Sequence, residues 1–413
     1  MVSDWKPTSL REAGVMLIDC DHRTPPADES GYPYIAIPQL KEGRLALNDV
    51  RRISSENFVE WTRKARPQHH DVILSRRCNP GETAYVPQDL ECALGQNLVL
   101  LRANGSKLYP PFLRWLVRGP HWWEQVGTFI NVGAVFESLR CADIPNFKMP
   151  LPPLPKQKAI AAVLGALDDK IELNRRMNAT LEAMARALFQ SWFVDFDPVH
   201  AKAAGRQPTG MDEATAALFP DTFHDSPLGL IPKGWDVLTF GQFIERLPVG
   251  QKYDQKSALS AGLVPILDQG KSGVIGFHNE TPGVIASQEK PVVIFANHTC
   301  YMRLITHPFS TIQNVLPFIG AKVDTLWAYF ATEGRLAFSE YKGHWPDFVL
   351  ETALRPSKEL TEDFGRRVKP FMSKIDENQK QSQALATLRD TMLPKLLSGE
   401  LRLADVERDV TCV

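Results

Sequence analysis

The chain has 413 residues, of which 47 are Lys or Arg and 48 are Asp or Glu, for a formal net charge of −1. That length accommodates two or three domains, each able to bury its own core. The charge balance excludes a uniformly basic nucleic-acid binder, so any DNA contact must come from local patches or from a partner.

Six cysteines, Cys20, Cys78, Cys92, Cys141, Cys300 and Cys412, are scattered without a C-x-x-C pair. This pattern points to reduced thiols in a cytoplasmic protein rather than to a disulfide framework or a zinc site. The opening stretch MVSDWKPTSLREAG lacks an apolar core, and no apolar run approaches the ~18 residues of a membrane span, so no membrane association is expected.

Residues 1–150 read as a mixed α/β domain. Tyr34-Ile-Ala-Ile, Asp71-Val-Ile-Leu-Ser and Asn97-Leu-Val-Leu-Leu are short β-rich runs bounded by Gly, Pro and Asn, and a helix opens at Pro111. The segment Pro145–Gln157 holds five prolines and is expected to be extended. It leads into a spacer at 151–200, whose stretch Lys156–Val194 is free of proline and rich in helix formers. There Ile160, Leu167, Asn174, Leu181 and Leu188 recur every seven residues, with Leu164, Ile171, Asn178 and Ala185 four further on, which is a heptad seam. Such a helix would be roughly 55 Å long at about 1.5 Å per residue, too long for an ordinary domain helix.

Residues 201–234 are broken by Pro and Gly and read as a linker with one short helix at Asp212–Leu218. A second mixed domain spans 235–357, with strands at Val264-Pro-Ile-Leu, Pro291-Val-Val-Ile-Phe-Ala and Val315-Leu-Pro-Phe-Ile-Gly. A second helical spacer covers 358–403 and is expected to stop at Pro394 and Gly399, before a tail at 404–413.

The second half repeats the first. Moving the seam forward by 204 residues lands on Phe364, Phe371, Asn378, Leu385 and Met392, with Val368, Ile375, Ser382 and Arg389 between them. Gly31-Tyr-Pro-Tyr-Ile matches Gly262-Leu-Val-Pro-Ile, and Gly95-Gln-Asn-Leu-Val matches Ile312-Gln-Asn-Val-Leu. The fold class that follows is α+β: two globular α/β domains separated by two long helices that pair as an antiparallel coiled coil, with a pseudo-twofold internal repeat. Asn174 and Asn378 weaken the seam but fit a role in fixing its register.

Fragments that imitate catalytic motifs fail in detail, and the chain is expected to be no enzyme. Gly270-Lys-Ser ends like a phosphate-binding loop, yet Pro265 stands where its first glycine belongs. Cys78-Asn-Pro-Gly lacks the second proline and the aromatic of an amino-methyltransferase motif. Trp345-Pro-Asp with Glu351-Thr-Ala has Ala353 in place of a nuclease lysine. His69 and His70, adjacent in an extended segment, would point opposite ways and chelate poorly, so no metal is expected. Trp122-Trp123 and Trp192-Phe193 read as core or interface anchors. What remains is cations in loops, namely Arg51, Arg52, Arg63, Arg66, Arg76 and Arg77 in the first domain and Lys252, Lys256, Lys271 and His278 in the second. Loop Lys and Arg can read guanine edges or hold phosphates; a solvated surface is the plainer reading of any single one.

Over nearly its whole length the chain resembles the specificity subunits of type I restriction-modification systems. The resemblance rests on the two-repeat layout and on the stretches LPPLPKQKAIAAVLGALDDKIELNRRMNATLEAMARALFQSWFVDFDPV, GLIPKGW and LRDTMLPKLLSGELRL. It implies a non-catalytic reader of double-stranded DNA whose two target recognition domains each read half of a bipartite, asymmetric site. The paired helices would set the gap, in keeping with half-sites somewhat over one duplex turn of about 34–36 Å apart. Two methylation subunits would dock on the helices and bring S-adenosylmethionine, and two restriction subunits would bring ATP and Mg2+. The competing readings are a coiled-coil scaffold without DNA specificity and a fused restriction-methylation enzyme, the latter at odds with the missing methyltransferase motifs.

Overall fold

The computed structural model describes residues 5–132, 137–270, 273–340 and 342–401. These fall into two compact units, one made of the described residues up to Glu172 together with those from Ser382 onward, the other of Leu173–Gln381.

The principal elements of the first unit before its long helix are β1 (Pro7–Ser9), β2 (Val15–Asp19), β3 (Tyr32–Ile35), α1 (Ser55–Trp61), β4 (Val72–Ser75), β5 (Thr83–Tyr85), β6 (Ala93–Leu94), β7 (Leu98–Ala103), α2 (Pro110–Leu116), α3 (Pro120–Phe129) and β8 (Lys148–Pro150). An antiparallel sheet has the order β2-β7-β4-β5, while β3 runs parallel to β6 and β1 pairs antiparallel with β8. The apolar runs of β4 and β7 are covered on both faces. Val99 and Leu101 join a core with α2, α3 and Leu164, whereas Leu98 and Leu100, pointing the other way, join a second core with Ile35, Leu40 and Val86.

The chain continues through α4 (Leu154–Phe193), α5 (Asp197–Ala203), α6 (Glu213–Ala217) and the hairpin β9 (Phe223–Ser226) and β10 (Gly229–Pro232). The second unit then contains β11 (Asp236–Thr239), α7 (Phe240–Phe243), β12 (Ile244–Arg246), β13 (Lys252–Tyr253), β14 (Val264–Leu267), β15 (Val274–His278), β16 (Val292–Ala296), β17 (Met302–Ile305), β18 (Ser310–Ile312), β19 (Val315–Gly320), α8 (Thr325–Thr332), α9 (Trp345–Phe348) and β20 (Thr352–Arg355). Its antiparallel sheet, β12-β19-β16-β17, repeats β2-β7-β4-β5 strand for strand. The parallel pair β14·β18 answers β3·β6, and β11·β20 answers β1·β8. Asn97 and Asn314 occupy the same turn of the repeat with φ 68° and 67°, a left-handed conformation that asparagine tolerates.

The last helix, α10 (Lys358–Ser398), lies with α4 in each unit. In the first unit Ile160, Leu164, Leu167 and Ile171 share a core with Leu385, Met392, Leu393 and Leu396. In the second unit Phe193 lies 5.3 Å and Trp192 6.3 Å from the ring of Phe364, and Asn174 reaches Asn378. Rising numbers on α4 therefore meet falling numbers on α10, so within this unit the helices are antiparallel. Asn174 Nδ2 donates to the Asn378 carbonyl at 3.3 Å and to Gln381 Oε1 at 3.0 Å, and Asn378 Nδ2 donates to Asn178 Oδ1 at 2.8 Å. Ile375 is buried, Leu188 and Phe371 are half-buried against the aromatic core, and Leu181 is only half-buried.

Three segments differ from the sequence reading. The proline-rich lead-in is extended only at β8, because Ile144–Asn146 form a 3-10 turn and α4 already starts at Leu154; Pro155 sits in the first turn, where its missing amide leaves no bond unmade. The helix α10 runs through Pro370 and Pro394 and is followed by Gly399 at φ 72°. The presumed linker carries, besides the short helix expected at Asp212–Leu218 and found as α6, the end of α5 and a hairpin. Among the described residues no helix is long and apolar enough to cross a membrane.

Candidate nucleic-acid interface

In both units the excursions from the antiparallel sheet carry most of the candidate cations. Between β2 and β4 lie Arg51, Arg52, Arg63 and Arg66; between β12 and β16 lie Lys252, Lys256 and His278. Arg76 and Arg77 follow β4 in the turn to β5, and Lys271 lies outside the described residues.

Arg51 and Arg52 are exposed, and each uses one Nη1 on backbone, the Pro25 carbonyl at 2.8 Å and the Gly31 carbonyl at 2.7 Å. Arg63 is exposed without an ion-pair partner among the described residues. Arg66 pairs with Glu91 at 2.6 Å and lies 5.6 Å from the Phe58 ring centre. Arg77 is exposed, whereas Arg76 is half-buried and its Nε has no hydrogen-bond partner among the described residues. Lys252 and Lys256 are exposed, the latter in a turn where its amide and that of Ser257 donate to Asp254 Oδ1 at 3.0 and 2.9 Å.

His278 does not belong to an exposed surface. It is 3% exposed and stacks on Tyr253 at 4.2 Å. Its Nδ1 accepts from the Glu280 amide at 3.1 Å, so Nε2 carries the proton and donates to Ser310 Oγ at 2.9 Å. It ends a strand whose alternation turns its ring inward, as the loop reading of the sequence overlooked.

The histidine pair also differs from expectation. His70 has φ 72°, so the segment is not extended and both rings turn to Tyr85. His69 Nε2 and His70 Nδ1 lie 2.6 and 3.1 Å from the Tyr85 hydroxyl, and Arg114 lies 4.5 Å from the same ring. Burial, with His69 and Arg114 adding to it, pushes the His70 imidazole down to about 4, leaving it neutral. Of the tryptophans, Trp122 is buried and donates to the Gly81 carbonyl at 2.8 Å, while Trp123 is 43% exposed.

Arg23 escaped the sequence reading because no periodicity or cation cluster marks it. Its carbonyl accepts from Trp61 Nε1 at 2.9 Å and from the Tyr34 hydroxyl at 3.2 Å. Its guanidinium donates from Nε and Nη2 to Asp21 at 3.2 and 2.9 Å, from Nη2 to Glu60 at 2.7 Å, and lies 4.6 Å from the Trp61 ring centre. The hydrogen bonds from Arg23 hold the Asp21 carboxyl below its usual range.

A second charged group ties the long helices to the first globular region. Asp168 on α4 accepts from Arg389 of α10 at 2.6 Å and from Arg44 at 2.7 Å, with Arg114 of α2 at 3.7 Å. Burial alone would raise the Asp168 carboxyl, but the surrounding guanidiniums more than offset it and hold it below its usual value. Asp390 accepts from Arg389 Nε at 2.8 Å.

Among the described residues one group, Asp19, Cys20 and His22, brings three metal-ligating atom types within reach of one another. The Cys20 thiol is buried, pushed up to about 11 by that burial, and donates to the Gly95 carbonyl at 3.2 Å, which suits a core residue rather than a thiolate ligand.

A family model described as the type I restriction modification DNA specificity domain matches residues 17–183. The chain is 23% identical to the Type I restriction enzyme HindI specificity subunit of Haemophilus influenzae, covering 97% of this chain and 100% of that protein. It is 22% identical to the Type I restriction enzyme MjaIX specificity subunit of Methanocaldococcus jannaschii, over 92% of this chain and 87% of that one. The crystal structure of a type I restriction-modification S subunit from M. genitalium has the same fold, with a TM-score of 0.54, 15% identity and coverage of 96% of both chains.

Proposed function

We propose that the chain is, like the type I restriction-modification specificity subunits it resembles over 92–97% of its length, the sequence-reading component of a restriction-modification complex, recognising a bipartite, asymmetric site on double-stranded DNA. The observation that carries this reading is the repeat: each unit has the same sheet order and parallel pair, and each sets exposed cations on the excursions between equivalent strands. Each unit reads one half-site, with Arg51, Arg52, Arg63, Arg66 and Arg77 serving one half and Lys252 and Lys256 the other.

The long helices α4 and α10 act together as an antiparallel spacer related by a pseudo-twofold axis, so their length sets the gap in the recognised sequence. Two methylation subunits dock on the helices and two restriction subunits complete the complex. This chain is non-catalytic; S-adenosylmethionine, ATP and Mg2+ are held by the partners, and the complex works in the cytoplasm. A chain of formal charge −1 leaves much of the phosphate contact, and with it the salt dependence of binding, to those partners.

Methylome sequencing of cells carrying the chain and its methylation subunits tests the proposal. The expected result is adenine methylation in a motif of two defined halves separated by an unspecified gap. Methylation without sequence preference, or in one continuous motif, refutes it.

A further inference from the structure

Arg23 is an exposed cation whose guanidinium makes three side-chain hydrogen bonds, and the manner of its holding limits what it can bind. We infer that Arg23, buttressed by Asp21 and Glu60, reads one guanine–cytosine pair in the half-site of the first unit, an inference that rests on the DNA-reading function proposed above.

The main chain is fixed first, because two buried rings, Tyr34 and Trp61, donate to the Arg23 carbonyl. The guanidinium is then fixed along one edge: its Nε proton faces Asp21, and Nη2 faces Asp21 and Glu60. Of its five N–H donors, these contacts occupy Nε and both of Nη2, leaving the two on Nη1. The side chain nonetheless remains 58% exposed. Exposed ion pairs add little to folding stability, so such a hold finds its use in presenting the free donors without loss of side-chain freedom on binding.

The local charge decides between phosphate and base. Two carboxylates offset the one guanidinium, with Lys64 also acting on Asp21, so a phosphate oxygen approaching Nη1 finds no excess of positive charge to hold it. The O6 and N7 acceptors of guanine are uncharged and accept from arginine without needing that excess. The carboxylates of Asp21 and Glu60, 19% and 42% exposed, supply the complementary acceptor for the N4 amine of the paired cytosine. Arg63, exposed and without a carboxylate partner among the described residues, has the opposite character and suits a phosphate.

The test uses the full-length chain assembled with its methylation subunits. A randomised duplex library defines the motif, after which binding is measured on the cognate duplex and on duplexes with each G·C pair of one half replaced. Wild type should lose roughly 5- to 150-fold at one such pair, the range for a single well-placed base contact. Arg23→Ala should remove the discrimination at that pair alone and leave the salt dependence of Kd unchanged, and Arg23→Lys should do the same although it keeps the charge. Asp21→Asn, which leaves the arginine in place but loosens it, should weaken the same discrimination and covers the case of an Arg23→Ala chain that fails to assemble. Uniform weakening on every duplex with a shallower salt dependence would mean a phosphate contact and overturn the inference; unchanged discrimination in these variants would reduce the cluster to a surface ion pair. A wild-type complex without any half-site preference would instead overturn the parent reading.

Discussion

Replacing Asp168 by asparagine removes a charge from a buried position while keeping its shape. The carboxylate is 6% exposed, accepts from Arg389 at 2.6 Å and Arg44 at 2.7 Å, and has Arg114 at 3.7 Å. Removing one partner of a buried ion pair costs about 3–5 kcal/mol, because the remaining charges stay buried without compensation. Arg389 keeps Asp390 at 2.8 Å, which places the loss near the lower bound, about 3 kcal/mol. For a folding unit of 150–250 residues about 1 kcal/mol shifts Tm by roughly 2–4 °C, so Asp168→Asn should lower the melting temperature by about 6–12 °C in scanning calorimetry. The pH dependence gives a second reading. A carboxyl whose folded pKa is depressed contributes stability that is complete above its unfolded pKa and is lost as pH falls through the folded one. The gap between wild type and Asp168→Asn should therefore be constant near neutrality and close only below about pH 3.9. A fall in Tm of under about 2 °C, or a gap that survives acidification, would refute the assignment of Asp168 as the counter-charge of this arginine group.

The seam asparagines should fix register: Asn174→Leu alone takes its donor from Gln381 Oε1 and Asn378→Leu alone takes its donor from Asn178 Oδ1, both half-buried, at about 0.5–1.5 kcal/mol each, while the double substitution should populate more than one helix pairing, seen as heterogeneous disulfide trapping between introduced cysteines. A single trapped pairing in the double variant would count against that role. His278→Ala should act on folding, lowering stability by about 1–3 kcal/mol through the loss of its bond to Ser310, with the half-site sequence unchanged; altered base preference without destabilisation would contradict its burial. Insertion of a matched heptad into both α4 and α10 should lengthen the gap in the methylated motif and leave both halves intact, and a changed half would sink the spacer role. Exchange of residues 1–150 for another recognition domain should rewrite one half alone, which motif sequencing would check.

The helices and the repeat were legible because they rest on periodicity. Ile160, Leu164, Leu167 and Ile171 announce a face at heptad spacing whatever packs on it, and Asn97 and Asn314 mark a turn that demands a left-handed residue. Side-chain orientation in the loops has no such regularity. His70 adopts a positive φ that turns it beside His69, His278 ends a strand facing inward, and Arg23 owes its setting to Glu60 and Trp61, which are nearly forty residues away along the chain. The Asp168 group draws arginines from the short strand Arg44–Leu45, α2 and α10, so no local pattern could have revealed it. Proline misled at both ends of the reading: Pro155 fits a first helical turn, and Pro394, expected to stop the last helix, is carried within α10 among residues buried on its core face.

The segment between α4 and the second sheet is fastened to the last helix. Asp212 caps α6 and, with Thr215, shares the Arg367 guanidinium with Asp363 of α10, while Lys202 of α5 donates to the carbonyls of Ala216 and Phe219. This latch makes residues 197–219 hereditary baggage of the helix rather than of the reader that follows. A chimera that joins this helix to a foreign second sheet should keep the latch when the junction falls beyond it, at the hairpin ending in Pro232, and should break it when the junction falls inside.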